Sequence, residues 1–177
     1  KDFHQLMREA EQEPIQQCLE SYRSMFTIDG SVKNDLLSKA AKGEVALRTV
    51  MKKYNSRAFG LNFLTLCNDQ TIAEPLHVAG SVLMSQGYGY AAEGDWVTAG
   101  FVYALQQAFG QASFSEIFSV GYADNRLVLK HWGEGNFNMA RQKPRLLPSS
   151  FTDKNKAEFV LVDFEFEPGA VTLLNLN

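Results

Sequence analysis

An α/β layer running into an antiparallel β region is the fold class this sequence predicts, and two observations predict it. Up to Gly110 the apolar residues recur at helical spacing around one aromatic and aliphatic run; from Gln111 onward their period drops to two. The reading is α/β followed by mainly β. It is the end of a doubly wound α/β domain over residues 1–110, joined to part of an antiparallel β domain over 111–177.

Residues 3–26 read as helix, with Leu6, Ala10, Leu19, Tyr22 and Phe26 loosely periodic and Pro14 interrupting the middle. Asp29-Gly30-Ser31 turns the chain. From Val32 the pattern sharpens: Leu36, Ala40, Leu47, Val50, Met51 and Tyr54 fall near one face, and Lys33, Lys39, Lys42, Arg48 and Lys52 fall elsewhere. That is a surface helix against a core. Ala58 to Leu66 has the length and composition of a buried strand. Glu74-Pro75 opens the next helix, which runs to Gln86 with Gly87 as its C-terminal cap. Tyr88 to Ala92 is a short apolar approach to a Gly-rich loop. Asp95 is the N-cap of a helix from Trp96 to Phe109, apolar nearly all round and therefore expected to be buried.

Beyond Gln111, Phe114, Glu116, Phe118 and Val120 alternate with other residues, Ala123 to Arg126 turns, and Leu127 to Trp132 returns as the second arm of a hairpin. Gly133-Glu134-Gly135-Asn136 is a Gly-rich turn, and Lys143 to Pro148 is an extended segment fixed by two prolines. Glu158 to Phe166 and Ala170 to Leu176 read as two further strands around the turn Glu167-Pro168-Gly169.

Composition excludes several classes. With 177 residues and 45% hydrophobic content, the chain can bury a sizeable core. A net charge of -3 and no basic stripe argue against nucleic acid, and no run of about 18 apolar residues offers a membrane span. The N-terminus carries no Met and no secretory h-region, so the chain reads as excised from a longer one. Cys18 and Cys67 match no metal or redox spacing and read as reduced thiols of a cytoplasmic protein.

Three side chains stand out as chemistry. Glu93 sits just before a helix N-terminus, where backbone N–H groups favour an ionised carboxylate, although a loop glutamate is commonly no more than solvated. Glu116 interrupts the aromatic strand on the face of its phenylalanines, where a carboxylate needs a cation or a proton. His131 ends the partner strand, roughly opposite Glu116 across the ladder. A lone histidine there would be structural. Two carboxylates and one imidazole together suit Mn²⁺, Co²⁺ or Mg²⁺ better than a structural zinc.

At these residues the chain resembles the L-arabinose isomerase family and related metal-dependent sugar isomerases. The resemblance lies in Gly87-Tyr88-Gly89 leading into Ala92-Glu93-Gly94-Asp95-Trp96 with Thr98-Ala99, in Ser113-Phe114-x-Glu116, and in His131-x-Gly133-Glu134 followed by Lys143-Pro144-Arg145. It implies aldose–ketose isomerisation of a monosaccharide through an enediol, with a manganese-type ion held by Glu93, Glu116 and His131 and the two glutamates doing acid–base work. It also implies a homo-oligomer. Val97 stands where the family commonly has Lys, and Trp132 where it usually has Met, so the chain looks like a divergent relative. The family's second histidine ligand and its N-terminal domain lie outside this sequence, and the fragment alone is expected to be inactive. Two rivals remain open: a non-catalytic carbohydrate-binding or subunit-interaction module built on Trp96, Trp132 and Tyr88, and a glycosidase pair made of Glu93 and Glu116.

Overall fold

The computed structural model describes residues 3–62, 76–150 and 158–176. Two helices, α1 (Phe3–Arg8) and α2 (Gln12–Met25), take the place of the single helix expected over 3–26. The break falls before Pro14, which therefore lands in the first turn of α2, where its missing N–H leaves no helical bond unmade. After the short strand β1 (Thr27–Ile28), Asp29 Oδ1 accepts the Ser31 N–H at 3.0 Å and closes the expected turn. Helix α3 (Asn34–Lys53) turns Leu36, Ala40, Leu47 and Met51 inward, as their spacing predicts, and buries Glu44 among them.

Strand β2 (Ala58–Gly60) pairs in parallel with β3 (Gly89–Ala91), setting Phe59 beside Tyr90. The rest of the expected strand, residues 63–66, lies outside the described residues, as do Cys67 and the helix start at Glu74-Pro75. Helix α4 (Leu76–Ser85) buries every residue from Leu76 to Met84 and contributes to three apolar clusters. Gly87 ends it with φ 87°, as a C-terminal cap should.

Helix α5 (Trp96–Phe109) has the expected bounds, with the Asp95 carboxylate accepting the Thr98 N–H at 2.8 Å and Gly110 left-handed at its end. Its expected burial is corrected. Only Ala99, Val102 and Gln106 are buried, while Trp96 and Phe109 are each 76% exposed. Apolar composition says that a helix can be buried, but α5 has a layer on one side only. The helix enclosed all round is α4, which packs on α3 and β3 and meets the β region described next.

In that region, β4 (Glu116–Gly121) and β5 (Arg126–Lys130) form the expected antiparallel hairpin, with an irregular register between Ile117 and Ser119. Strand β6 (Arg145–Ser150) pairs antiparallel with β7 (Glu158–Asp163), and β1 adds in parallel to the start of β6. Leu146, Val160 and Val162 thereby enter one core with Ile15, Tyr22, Phe26, Leu36 and Leu37. The expected hairpin between 158–166 and 170–176 does not form. Strand β7 takes the six-residue register offered by β6 over this core, and Val171, Leu173, Leu174 and Leu176 stay exposed without regular structure. Among the described residues no helix is long and apolar enough to cross a membrane.

A cavity of about 430 Å³ opens between α2, α3 and α4, lined in part by Cys18, Glu44, Arg48 and Gln86. Its charges are already matched. Glu44 accepts from the Tyr22 hydroxyl at 2.7 Å and from Arg48 Nε at 2.8 Å, and Arg48 Nη2 reaches Gln86 Oε1 at 2.8 Å. Burial, reinforced by Glu44, pushes the Cys18 thiol up to about 12, so it is no nucleophile. Glu44→Ala would leave the buried Tyr22 hydroxyl unpaired at a cost of about 1–3 kcal/mol. Thermal unfolding followed by circular dichroism should fall by ~5 °C, and by less in Glu44→Gln, which keeps an acceptor.

Gly89 sets the distance between β3 and α5. A Cβ there would stand 2.0 Å from the Ala99 carbonyl oxygen and 2.7 Å from Tyr103 Cβ, whereas one at Gly100 would meet nothing within 4 Å. Gly89→Ala must push backbone from backbone and should cost about 3 kcal/mol or prevent folding. Gly100→Ala should raise the unfolding midpoint by roughly 2–4 °C, because Ala is about 1 kcal/mol the better helix residue. Equal midpoints for the two variants would contradict this packing.

Candidate functional site

The loop after β5 is held by side chains from other parts of the chain. The Gly135 N–H donates to Ser81 Oγ at 3.1 Å and the Asn136 N–H to Ser113 Oγ at 3.0 Å. Asn136 is 1% exposed; its side chain donates to the Ala112 carbonyl at 3.0 Å and accepts from the Asn138 N–H at 3.1 Å. Gly133 has φ 81°, and its carbonyl accepts the Val162 N–H at 3.2 Å. Any Cβ at Gly133 would strike Leu161. Glycine on both sides of Glu134 thus lets the turn sink against α4 and β7 and carry a carboxylate into the interior.

There Glu134 meets two partners from different parts of the chain. Tyr90, on β3 and 1% exposed, donates its hydroxyl to Glu134 Oε1 at 2.5 Å. His131 Nδ1 lies 3.0 Å from Glu134 Oε2, with the two side chains 10% and 7% exposed. The contact is short, yet the N–H direction misses the oxygen, so Nδ1 has no well-aligned hydrogen-bond acceptor. It is a close charge contact without a hydrogen bond. Burial alone would lower the imidazole's affinity for its proton. The contact with Glu134 and the charges of Glu134, Glu116 and Glu93 outweigh burial and raise the His131 pKa. Phe114 closes one side, its ring 5.0 Å from the imidazole and nearly perpendicular to it.

The three residues singled out in the sequence therefore share one electrostatic neighbourhood, but differ in setting. Glu116 pairs with Lys130 in the ladder, and His131 lies one residue past the last pair. The expected opposition of Glu116 and His131 is corrected by one position, because the irregularity at Phe118 shifts the register. Glu116 is half-buried, while the outer hairpin residues Ile117, Phe118, Leu127 and Val128 are exposed. Glu93 is exposed and holds φ 59° just before Gly94 at φ 79°. A left-handed glutamate is uncommon, and it turns the chain sharply into the α5 N-terminus. Among the described residues, no group of three or more His, Cys, Asp or Glu side chains is gathered closely enough to hold a metal ion by itself. The donor types fit a divalent cation, and His131 has the carboxylate neighbour typical of a metal-binding imidazole.

The sequence profile of the L-arabinose isomerase central domain matches residues 1–110. The chain belongs to the L-arabinose isomerase family. It is 30% identical over 162 residues to the L-arabinose isomerase of Thermotoga neapolitana, covering 88% of this chain and 32% of that protein. It is 30% identical over 168 residues to that of Saccharophagus degradans, covering 89% of this chain and 33% of the relative. The Thermotoga maritima protein is 29% identical, with 88% of this chain and 32% of the relative aligned. The chain thus spans about a third of the length of the curated relatives it matches.

Sequence reasoning passed over Glu134 and Tyr90 as site residues. The available signals were a glutamate three residues after His131 with glycine on each side, and a tyrosine inside an apolar run.

A raised folded-state pKa means that His131 contributes stability below its unfolded value of about 6.5, and that this contribution is lost as pH rises through the folded value. Titrating the metal-free chain by NMR should place the His131 midpoint above the roughly 6.5 of an unperturbed histidine, and Glu134→Ala should lower it. A wild-type midpoint below about 6.5 would mean that burial dominates.

Proposed function

We propose that this chain is the metal-holding portion of a cytoplasmic, divalent-metal-dependent sugar isomerase that interconverts an aldose and a ketose through an enediol. What supports the reading is the match to the L-arabinose isomerase central domain, together with a buried His131 in charge contact with Glu134 on the segment that also carries Glu93 and Glu116. Glu93, Glu116 and His131 would hold Mn²⁺, or Co²⁺ or Mg²⁺, with further ligands supplied from outside this chain. When bound, the ion supplies positive charge beside the sugar oxygens, where negative charge grows as the adjacent C–H loses its proton.

The chain's own carboxylates do the proton work. One of Glu93 and Glu116 takes the carbon-bound proton, and the other exchanges a proton on oxygen. Glu116 is half-buried at the start of β4, whereas Glu93 is open to solvent at a helix entry. Because the remaining ligands and the walls of the sugar site lie elsewhere, the fragment is inactive alone. The division into an α/β part over 1–110 and a β part over 111–177 belongs to the same proposal, with the site at the join.

A second reading is favoured by a specific observation: Trp96, Trp132, Ile117, Phe118 and Val128 are exposed apolar residues around the same loops. They would suit contact between subunits of a homo-oligomer, with or without catalysis.

In a protein of the relatives' full length carrying this segment, Glu116→Gln should lower kcat by about 10²–10⁴ while leaving the fold unchanged. Normal turnover by that variant would remove Glu116 from the reaction. Calorimetric titration of the same protein with Mn²⁺ should show binding, and an absence of binding would favour the contact-surface reading.

A further inference from the structure

We infer that Glu134, clamped by Tyr90, is a positioning residue that sets the tautomer and ring orientation of His131. The inference rests on the reading of His131 as a metal ligand and adds to it a residue to which no role had been given.

The geometry runs in one direction. Tyr90 is fully buried, and burial beside Glu134 raises its pKa well above the ordinary phenol value, so its hydroxyl keeps its proton and donates. That bond occupies Glu134 Oε1 at 2.5 Å. The other oxygen, Oε2, is left 3.0 Å from His131 Nδ1. Gly80 on α4 lies beside the pair: a Cβ there would stand in ordinary contact, 3.6 Å from Glu134 Cγ and 3.4 Å from the Tyr90 ring. The backbone that follows it is held by Ser81, at Gly135, and by Ser113, at Asn136.

An ionised carboxylate accepts hydrogen bonds and donates none. Facing Oε2, Nδ1 is therefore the nitrogen that keeps a proton in the neutral ring, and Nε2 is left with the lone pair that a cation needs. The N–H is off the line of Oε2 here, as hydrogen bonds among a site's working groups often are before a ligand binds. Tyr90 comes from β3, Glu134 from the loop after β5, and Glu93 follows β3 by two residues. The clamp thus couples the place of His131 to the strand that delivers Glu93.

The test uses an amide of the same shape. In Glu134→Gln the side-chain carbonyl still accepts the Tyr90 hydroxyl, so the NH₂ group must face His131 and forces Nδ1 to accept. With ¹⁵N-histidine-labelled chain above the titration range of the imidazole, long-range ¹H–¹⁵N correlation spectra should show His131 with its proton on Nδ1. The proton should move to Nε2 in Glu134→Gln, and Tyr90→Phe should give a mixture. Mn²⁺ affinity of the full-length protein should fall by about 10–100-fold in Glu134→Gln, with the circular dichroism spectrum unchanged. A proton on Nε2 in the wild type, or an unmoved tautomer in the variant, would overturn the inference. If the tautomer moves but neither protein binds Mn²⁺, the metal reading fails and the positioning role stands. If both bind Mn²⁺ equally, the metal reading stands and the positioning role fails.

Discussion

A buried carboxylate held between a phenol and an imidazole is the interaction on which the rest of this site depends. Glu134 would be costly to bury alone, because an ionised carboxylate loses its hydration and regains nothing from apolar walls. Tyr90 supplies the compensating hydrogen bond and His131 the compensating proton. The surrounding architecture serves that arrangement. Helix α4 passes beside the pair at Gly80, and Gly133 gives up side-chain volume so that the loop can lie on β7. Gln106 on α5 donates to the Tyr88 carbonyl at 2.7 Å, tying the approach to β3 to the neighbouring helix.

The arrangement joins two parts of the chain with different local physics. Tyr90 and Glu93 belong to a parallel β–α layer, where buried strands and helices fix the backbone. Glu116 and His131 belong to a two-stranded hairpin whose outer residues meet solvent on both faces. An isolated pair of strands is marginal in water, so the hairpin's base is steadied where Phe114 packs against Tyr90 and His131, with ring separations of 6.2 and 5.0 Å. L-arabinose isomerases that share about 30% identity with this chain are a little under three times its length.

How much of this was legible in the sequence depended on whether local pattern or tertiary context decided the outcome. The bounds of α5 could be read because Asp95 and Gly110 are local caps, and the course of α3 because its apolar spacing is regular. The burial of α5 could not, since it depends on which layers stand beside the helix. The pairing of β7 with β6 instead of with residues 170–176 was likewise a contest between distant partners, which a Pro-Gly turn signal does not settle. Glu116 was legible as unusual because a carboxylate on the phenylalanine face of a strand breaks a local pattern, whereas Glu93 and His131 stood out only in company with it. Glu134 did not stand out, because a glutamate between glycines reads as a solvated turn until the burial of that turn is known.

The central claim is that His131 joins Glu93 and Glu116 in holding a divalent cation. Pulsed electron paramagnetic resonance of Mn²⁺ in the full-length protein tests it most directly, by reading nitrogen couplings to the bound ion. The account expects an imidazole coupling that disappears selectively in His131→Ala, with any coupling from another histidine retained. A nitrogen signal unchanged by His131→Ala would contradict it.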